Sequence, residues 1–110
     1  MARSAIHPGD HLAAELDTLG MSAAELARQI RAPTHRITEI LNGRRAITAD
    51  TALRLGHFFG TSADMWLNLQ KLHELRIAEN RVGDRIASLP VLDRSAWTSP
   101  ELEDMLEGRG

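Results

Sequence analysis

Nine side chains between positions 22 and 45 have the types and spacing of a surface that hydrogen-bonds nucleic acid. Thr34, His35, Thr38, Glu39 and Asn42 recur at helical intervals and are short or polar, able to reach base edges or phosphates. An ordinary solvated helix would instead be rich in Glu and Lys. Arg36 borders this set and can clamp a phosphate or pair with Glu39 one helical turn away. Arg44 and Arg45 follow directly and suit the flanking sugar-phosphate backbone, where each contact adds salt-dependent affinity. Ser22, at the start of a preceding helix, offers a further phosphate contact together with the first-turn amides.

Such a set works only if other elements hold its helix outward. Leu26, Ala27 and Ile30 share one face of a first helix, and Ile37, Ile40 and Leu41 share one face of a second. Arg31, Ala32 and Pro33 make a short break between them. That arrangement is a helix-turn-helix, in which the small Ala27 lets the helices approach and the isoleucines anchor the second one. The turn position usually filled by Gly carries Arg31, and a left-handed backbone there should cost about 1 kcal/mol. Any small helical bundle also contains amphipathic pairs with short turns, so spacing alone leaves that reading standing beside the DNA reading.

Punctuation residues divide the first eighty positions into five helical segments, with no alternating run long enough for a strand. Pro8 opens the first, which carries Leu12, Leu16 and Leu19 inward and stops at Gly20. Ser22 with Glu25 forms a capping-box pattern for a second helix from about Ala23 to Ile30. Pro33 and Thr34 open the third, which ends near Asn42 and Gly43. Thr48 caps the fourth, ending at Gly60, and Thr61 or Ser62 caps a fifth from Ala63 to about Arg81. The reading is an all-α, five-helix domain over residues 1–81. Residues 82–110 follow as an extension interrupted by Gly83, Pro90, Pro100 and Gly108, with a short helix expected from about Pro100 to Leu106.

Composition narrows the function classes. At 110 residues the chain is one domain, and 43% hydrophobic with 25% charged residues is ordinary for a globular protein. The absence of Cys removes disulfides, thiolate metal sites and cysteine nucleophiles and fits a reducing cytoplasm, the expected location. No apolar run could span a bilayer, and MARSAIHPGD lacks a signal-peptide core, so no membrane role is expected. The net charge of −2 argues against a nucleic-acid partner until its distribution is read. Up to Gly60 there are seven Arg against six acids, and from Thr61 onward six basic residues against nine acids. Between Gln29 and Arg54 five Arg meet only Glu39 and Asp50, a local basic patch.

His7 and His11, four apart, could share a metal, but no third ligand is evident, and a solvated helix start explains them. His57 and His73 read as isolated, and neither a nucleophile triad nor a phosphate loop is present. Neither enzymatic activity nor a cofactor or metal is expected. Trp66, with Met65, Leu67, Leu69 and Leu72, makes the fifth helix apolar on more than one side. Trp66 either completes the core under the first helix or, with Leu69 and Leu72, belongs to a dimer or partner interface. Trp97 and the Leu102, Met105 and Leu106 group either engage a basic partner or pack back on the domain.

Beyond the bare motif, HPGDHLAAEL, TLGMSAAELARQI, RITEILNGRRAITADTALRLGHFFGTS and MWLNLQ carry a resemblance that spans about Ile6 to Ala78. The chain resembles the HigA-type antitoxins, the VapI-like addiction-module antidotes within the Xre/Cro-type helix-turn-helix family. The resemblance implies an Xre/lambda-repressor-like domain with Thr34 to Asn42 as its recognition helix. It implies a homodimer that represses its own operon at a palindromic operator. It also implies neutralisation of a co-encoded toxin of the HigB/RelE-like type, an mRNA-cleaving ribonuclease. The alternatives are a stand-alone Xre-family regulator and a pure protein-interaction module, for which an acidic third helix would be expected.

Overall fold

The computed structural model describes residues 5–97, and within them the chain forms five α-helices and no strand. These are α1 (Pro8–Leu19), α2 (Ala23–Ile30), α3 (Thr34–Leu41), α4 (Ala49–Phe59) and α5 (Ala63–Ala87). Local chemistry sets most of the boundaries. The Ser22 hydroxyl accepts from the Glu25 amide at 3.1 Å, and that of Ser62 accepts from the Met65 amide at 3.1 Å. Gly20 and Gly60 close α1 and α4 in the left-handed region that ends helices. Thr48 stands at the start of α4, but its hydroxyl lies 3.4 Å from that of Thr51 and caps no helix amide.

Leu12 and Leu16 of α1, Leu26, Ala27 and Ile30 of α2, and Ile37 and Ile40 of α3 converge on one core. Ile47, Ala52 and Leu55 complete it together with Trp66 of α5. Trp66 is only 1% exposed, its ring lies 5.5 Å from His11 and 5.9 Å from Phe59, and its Nε1 donates to the Thr61 hydroxyl. Of the two readings of Trp66, the core one holds, and it has no surface left to offer a second subunit. Truncating a side chain of this size in such a core costs about 3–5 kcal/mol. At Gly9 α1 runs so close to α3 that a Cβ would lie far inside the normal contact distance from the Ile40 carbonyl oxygen.

Leu19, expected to point inward, is 53% exposed at the end of α1, and three further sequence expectations change. Helix α5 does not stop near Arg81 but continues through Gly83 to Ala87, so the division between residues 81 and 82 falls inside it. A single Gly costs a helix about 1 kcal/mol, which the helix-forming residues on both sides outweigh. Second, His7 is not a solvated helix start: its Nδ1 accepts from the Gly9 amide at 2.8 Å and caps α1. Third, His73 is not isolated, because the fold sets its ring 4.7 Å from that of His7. The expected helix from Pro100 to Leu106, with Leu102, Met105 and Leu106, lies outside the described residues.

Candidate nucleic-acid interface

The outward position of α3 follows from two of its residues. Ile37 and Ile40 are fully buried, and Leu41 packs against the core edge, so the opposite side of an eight-residue helix faces outward. Thr34, His35 and Asn42 are exposed there, with Thr38 and Glu39 half-buried beside them. The Thr38 hydroxyl donates to the His35 carbonyl at 3.1 Å, which fixes its rotamer along the helix and leaves its oxygen lone pairs as acceptors.

The turn that sets α2 against α3 contains the expected strain. Arg31 has φ 55° and ψ 49°, the one non-glycine residue with positive φ among those described. Its neighbour Ala32 donates to the Ala27 carbonyl at 2.9 Å, closing α2. The free carbonyls of Ile30 and Arg31 both accept from Arg54 Nη1, at 2.8 and 3.2 Å. Arg54 therefore laces α4 to the end of α2 and offsets part of the cost of the turn.

The arginines flanking α3 are not all free. Arg36 Nη1 donates to Asp50 Oδ1 at 3.1 Å rather than to Glu39, and Arg54 Nε donates to the same oxygen at 2.9 Å. Arg45 Nε donates to Glu39 Oε2 at 2.7 Å. Arg44 is exposed and makes no ion pair among the described residues. The hydrogen bond from Arg54, reinforced by Arg36, holds the Asp50 carboxyl below the usual carboxylate range. Ser22 spends its oxygen on the α2 cap but remains exposed, with its proton available to a phosphate.

Residues 12–66, half of the chain, match the family described as Helix-turn-helix (HTH_3). The chain belongs to the Xre-type helix-turn-helix family. Virulence-associated protein I of Dichelobacter nodosus is 49% identical over 76 residues, 68% of this chain and 70% of that protein. Among solved structures, an addiction module antidote protein of a HigA family from Coxiella burnetii superposes with a TM-score of 0.79 at 48% identity. It covers 82% of this chain and 99% of that one. The Pseudomonas aeruginosa antitoxin HigA, solved with the higBA promoter, superposes with a TM-score of 0.76 at 37% identity, over 81% and 99% of the two chains. This helix-turn-helix family comprises DNA-binding regulators and antitoxins and is not enzymatic.

Within this helix-turn-helix domain, three side chains that support the α3 region lie outside the sequence-derived set. Arg54 latches the turn and Asp50 gathers Arg36, as above. Gln70, 7% exposed in α5, accepts from the Ile47 amide through Oε1 at 2.8 Å. It thereby pins the loop that carries Arg44 and Arg45. No local signal marks Gln70, since Leu67 to Leu72 mixes Leu with Asn, Gln and Lys, and only the assembled bundle shows which amide is buried and needs a partner.

The surface expected for a partner divides. Leu69 is half-buried at the core edge, and Leu72 is 53% exposed. Both line a groove of about 530 Å³ between α1 and α5, together with His7, His11, His73 and Arg76. Burial, then the neighbouring His73, lowers the His7 pKa below its ordinary 6.5, against smaller opposing pulls from Asp10 and the Arg45 backbone. No group of three or more His, Asp or Glu among the described residues could hold a metal ion. No described helix is long and apolar enough to cross a membrane.

Proposed function

We propose that the chain is a dimeric antitoxin that represses its own operon by binding a palindromic operator and neutralises a co-encoded HigB/RelE-like mRNA-cleaving toxin. The observation that carries this reading is the outward face of α3, short and polar and flanked by arginines, in a chain 37% identical to a HigA antitoxin solved with promoter DNA. Thr34, His35, Thr38, Glu39 and Asn42 face the bases, while Arg36, Arg44, Arg45 and Ser22 take the phosphates. Two copies put their third helices in successive major grooves, about 34 Å apart, which requires a palindrome. The second copy docks on the apolar part of α5 that this chain leaves uncovered, including Leu72 and Leu75, both at least half exposed. Both activities belong in the cytoplasm.

A gel shift with the DNA upstream of the chain's own gene, repeated with the adjacent gene product, tests the reading. A shifted band with two chains per operator, and a stable complex that silences the neighbour's mRNA cleavage, are expected. A shift without any such complex would instead make the chain a stand-alone Xre-family regulator. That second reading has one observation in its favour: the family match falls on residues 12–66, the DNA-reading part.

A further inference from the structure

We propose that Asp50 is a carboxylate brake on DNA binding: it occupies Arg36 in the free protein, and a DNA phosphate must displace it. The proposal rests on the DNA-binding reading above and assigns to one residue the setting of its strength.

The geometry is that of an anion site already filled from within. Asp50 Oδ1 receives Arg36 Nη1 from α3 at 3.1 Å and Arg54 Nε from α4 at 2.9 Å, so one oxygen bridges two guanidiniums from different helices. Beside it lies a cleft of about 290 Å³ lined by Arg36, Arg45, Thr48, Thr51 and Arg54, three cations and two hydroxyls. The amides at the start of α4 receive no side-chain cap there. A phosphodiester oxygen has the charge and hydrogen-bonding capacity to take the place of the carboxylate oxygen. The Asp50 side chain is 59% exposed, so it can turn into water when displaced.

The two arginines respond differently to that exchange. Arg54 stays where it is, because its Nη1 is also held by the Ile30 and Arg31 carbonyls. Arg36 has Asp50 as its ion-pair partner and no backbone anchor of that kind, so Arg36 is the group released. An exposed pair is weak, so the brake changes affinity by a modest factor and leaves the fold intact.

Fluorescence anisotropy with a duplex from the chain's own upstream DNA tests this at several salt concentrations, using wild type, Asp50→Asn, Arg36→Gln and the double variant. Asp50→Asn should bind about fivefold more tightly with an unchanged log–log salt slope, because Arg36 reaches its phosphate in both complexes and only the cost of displacing the carboxylate is removed. In the Arg36→Gln background the same substitution should give no gain. Asp50→Ser must agree with Asp50→Asn, and unchanged melting temperatures show that both fold. Equal or weaker binding by Asp50→Asn overturns the brake, as does a gain that persists without Arg36. If the wild-type chain binds no duplex, the DNA-binding reading fails and the brake fails with it; wild-type binding with no gain in Asp50→Asn sinks the brake alone.

Discussion

Arg31 shows how a single residue can carry a cost that its neighbours absorb. Its backbone sits in the left-handed region, where a Cβ is disfavoured, and its side chain is exposed with no ion pair among the described residues. Arg31→Gly should therefore stabilise the protein by about 0.5–1 kcal/mol, read from urea midpoints, because Gly adopts this conformation freely. A loss of stability would show that the side chain contributes more than its backbone costs. The strain was legible from spacing alone, since position 31 is where a helix-turn-helix reverses. The latch that offsets it was not. Arg54 lies 23 residues away from Arg31, and only the placement of α4 brings its guanidinium to those carbonyls. The same holds for Arg36, read as either clamping a phosphate or pairing with Glu39 on its own helix but found on Asp50, 14 residues on, leaving Glu39 to Arg45.

Among the elements, four caps were readable, whereas the His7 cap, the uncapped start of α4 at Thr48 and the helix crossings were not. Ser22, Ser62, Gly20 and Gly60 mark helix ends through bonds or conformations confined to a few residues, which a sequence shows directly. The crossing of α1 over α3 at Gly9 is a tertiary matter with no local signature. Two glycine substitutions separate these kinds of cause. Gly9→Ala drives a methyl group into the Ile40 carbonyl and should cost about 2–3 kcal/mol, with α3 losing its support. Gly83→Ala meets nothing closer than the Glu79 Cβ at 4.0 Å, one turn back on the same helix, and should gain about 1 kcal/mol. Thermal and urea unfolding of both variants check this. A tolerated Gly9→Ala would mean that α1 and α3 are not in the contact described, and a destabilised Gly83→Ala would mean that α5 ends before Ala87. The contact of His7 with His73 belongs to the same class as the Gly9 crossing, joining residues 66 positions apart through the meeting of α1 with α5.

For the whole molecule, distribution decides what the net charge of −2 conceals. The basic patch around α3 survives, but Asp50 and Glu39 partly neutralise it, so sequence counting overstates the positive charge that DNA would meet. Apolar surface is similarly partitioned. Trp66 belongs to the interior, whereas Leu72, Leu75 and Ile86 leave α5 with exposed apolar side chains, Leu72 and Leu75 on the surface proposed to take a second copy. Fold class, the outward helix and its polar face were all visible in the sequence, because periodicity encodes which side is buried. Which arginine meets which acid was not, because that depends on the assembled bundle. The central claim, that the outer face of α3 reads a particular DNA sequence, is most directly tested by anisotropy titrations against the chain's own upstream duplex and a scrambled duplex of equal composition, with wild type and Thr38→Ala. Wild type should prefer its own duplex by about a thousandfold, and Thr38→Ala should lose about tenfold of that preference. Equal affinity of the wild-type chain for the two duplexes would contradict the account.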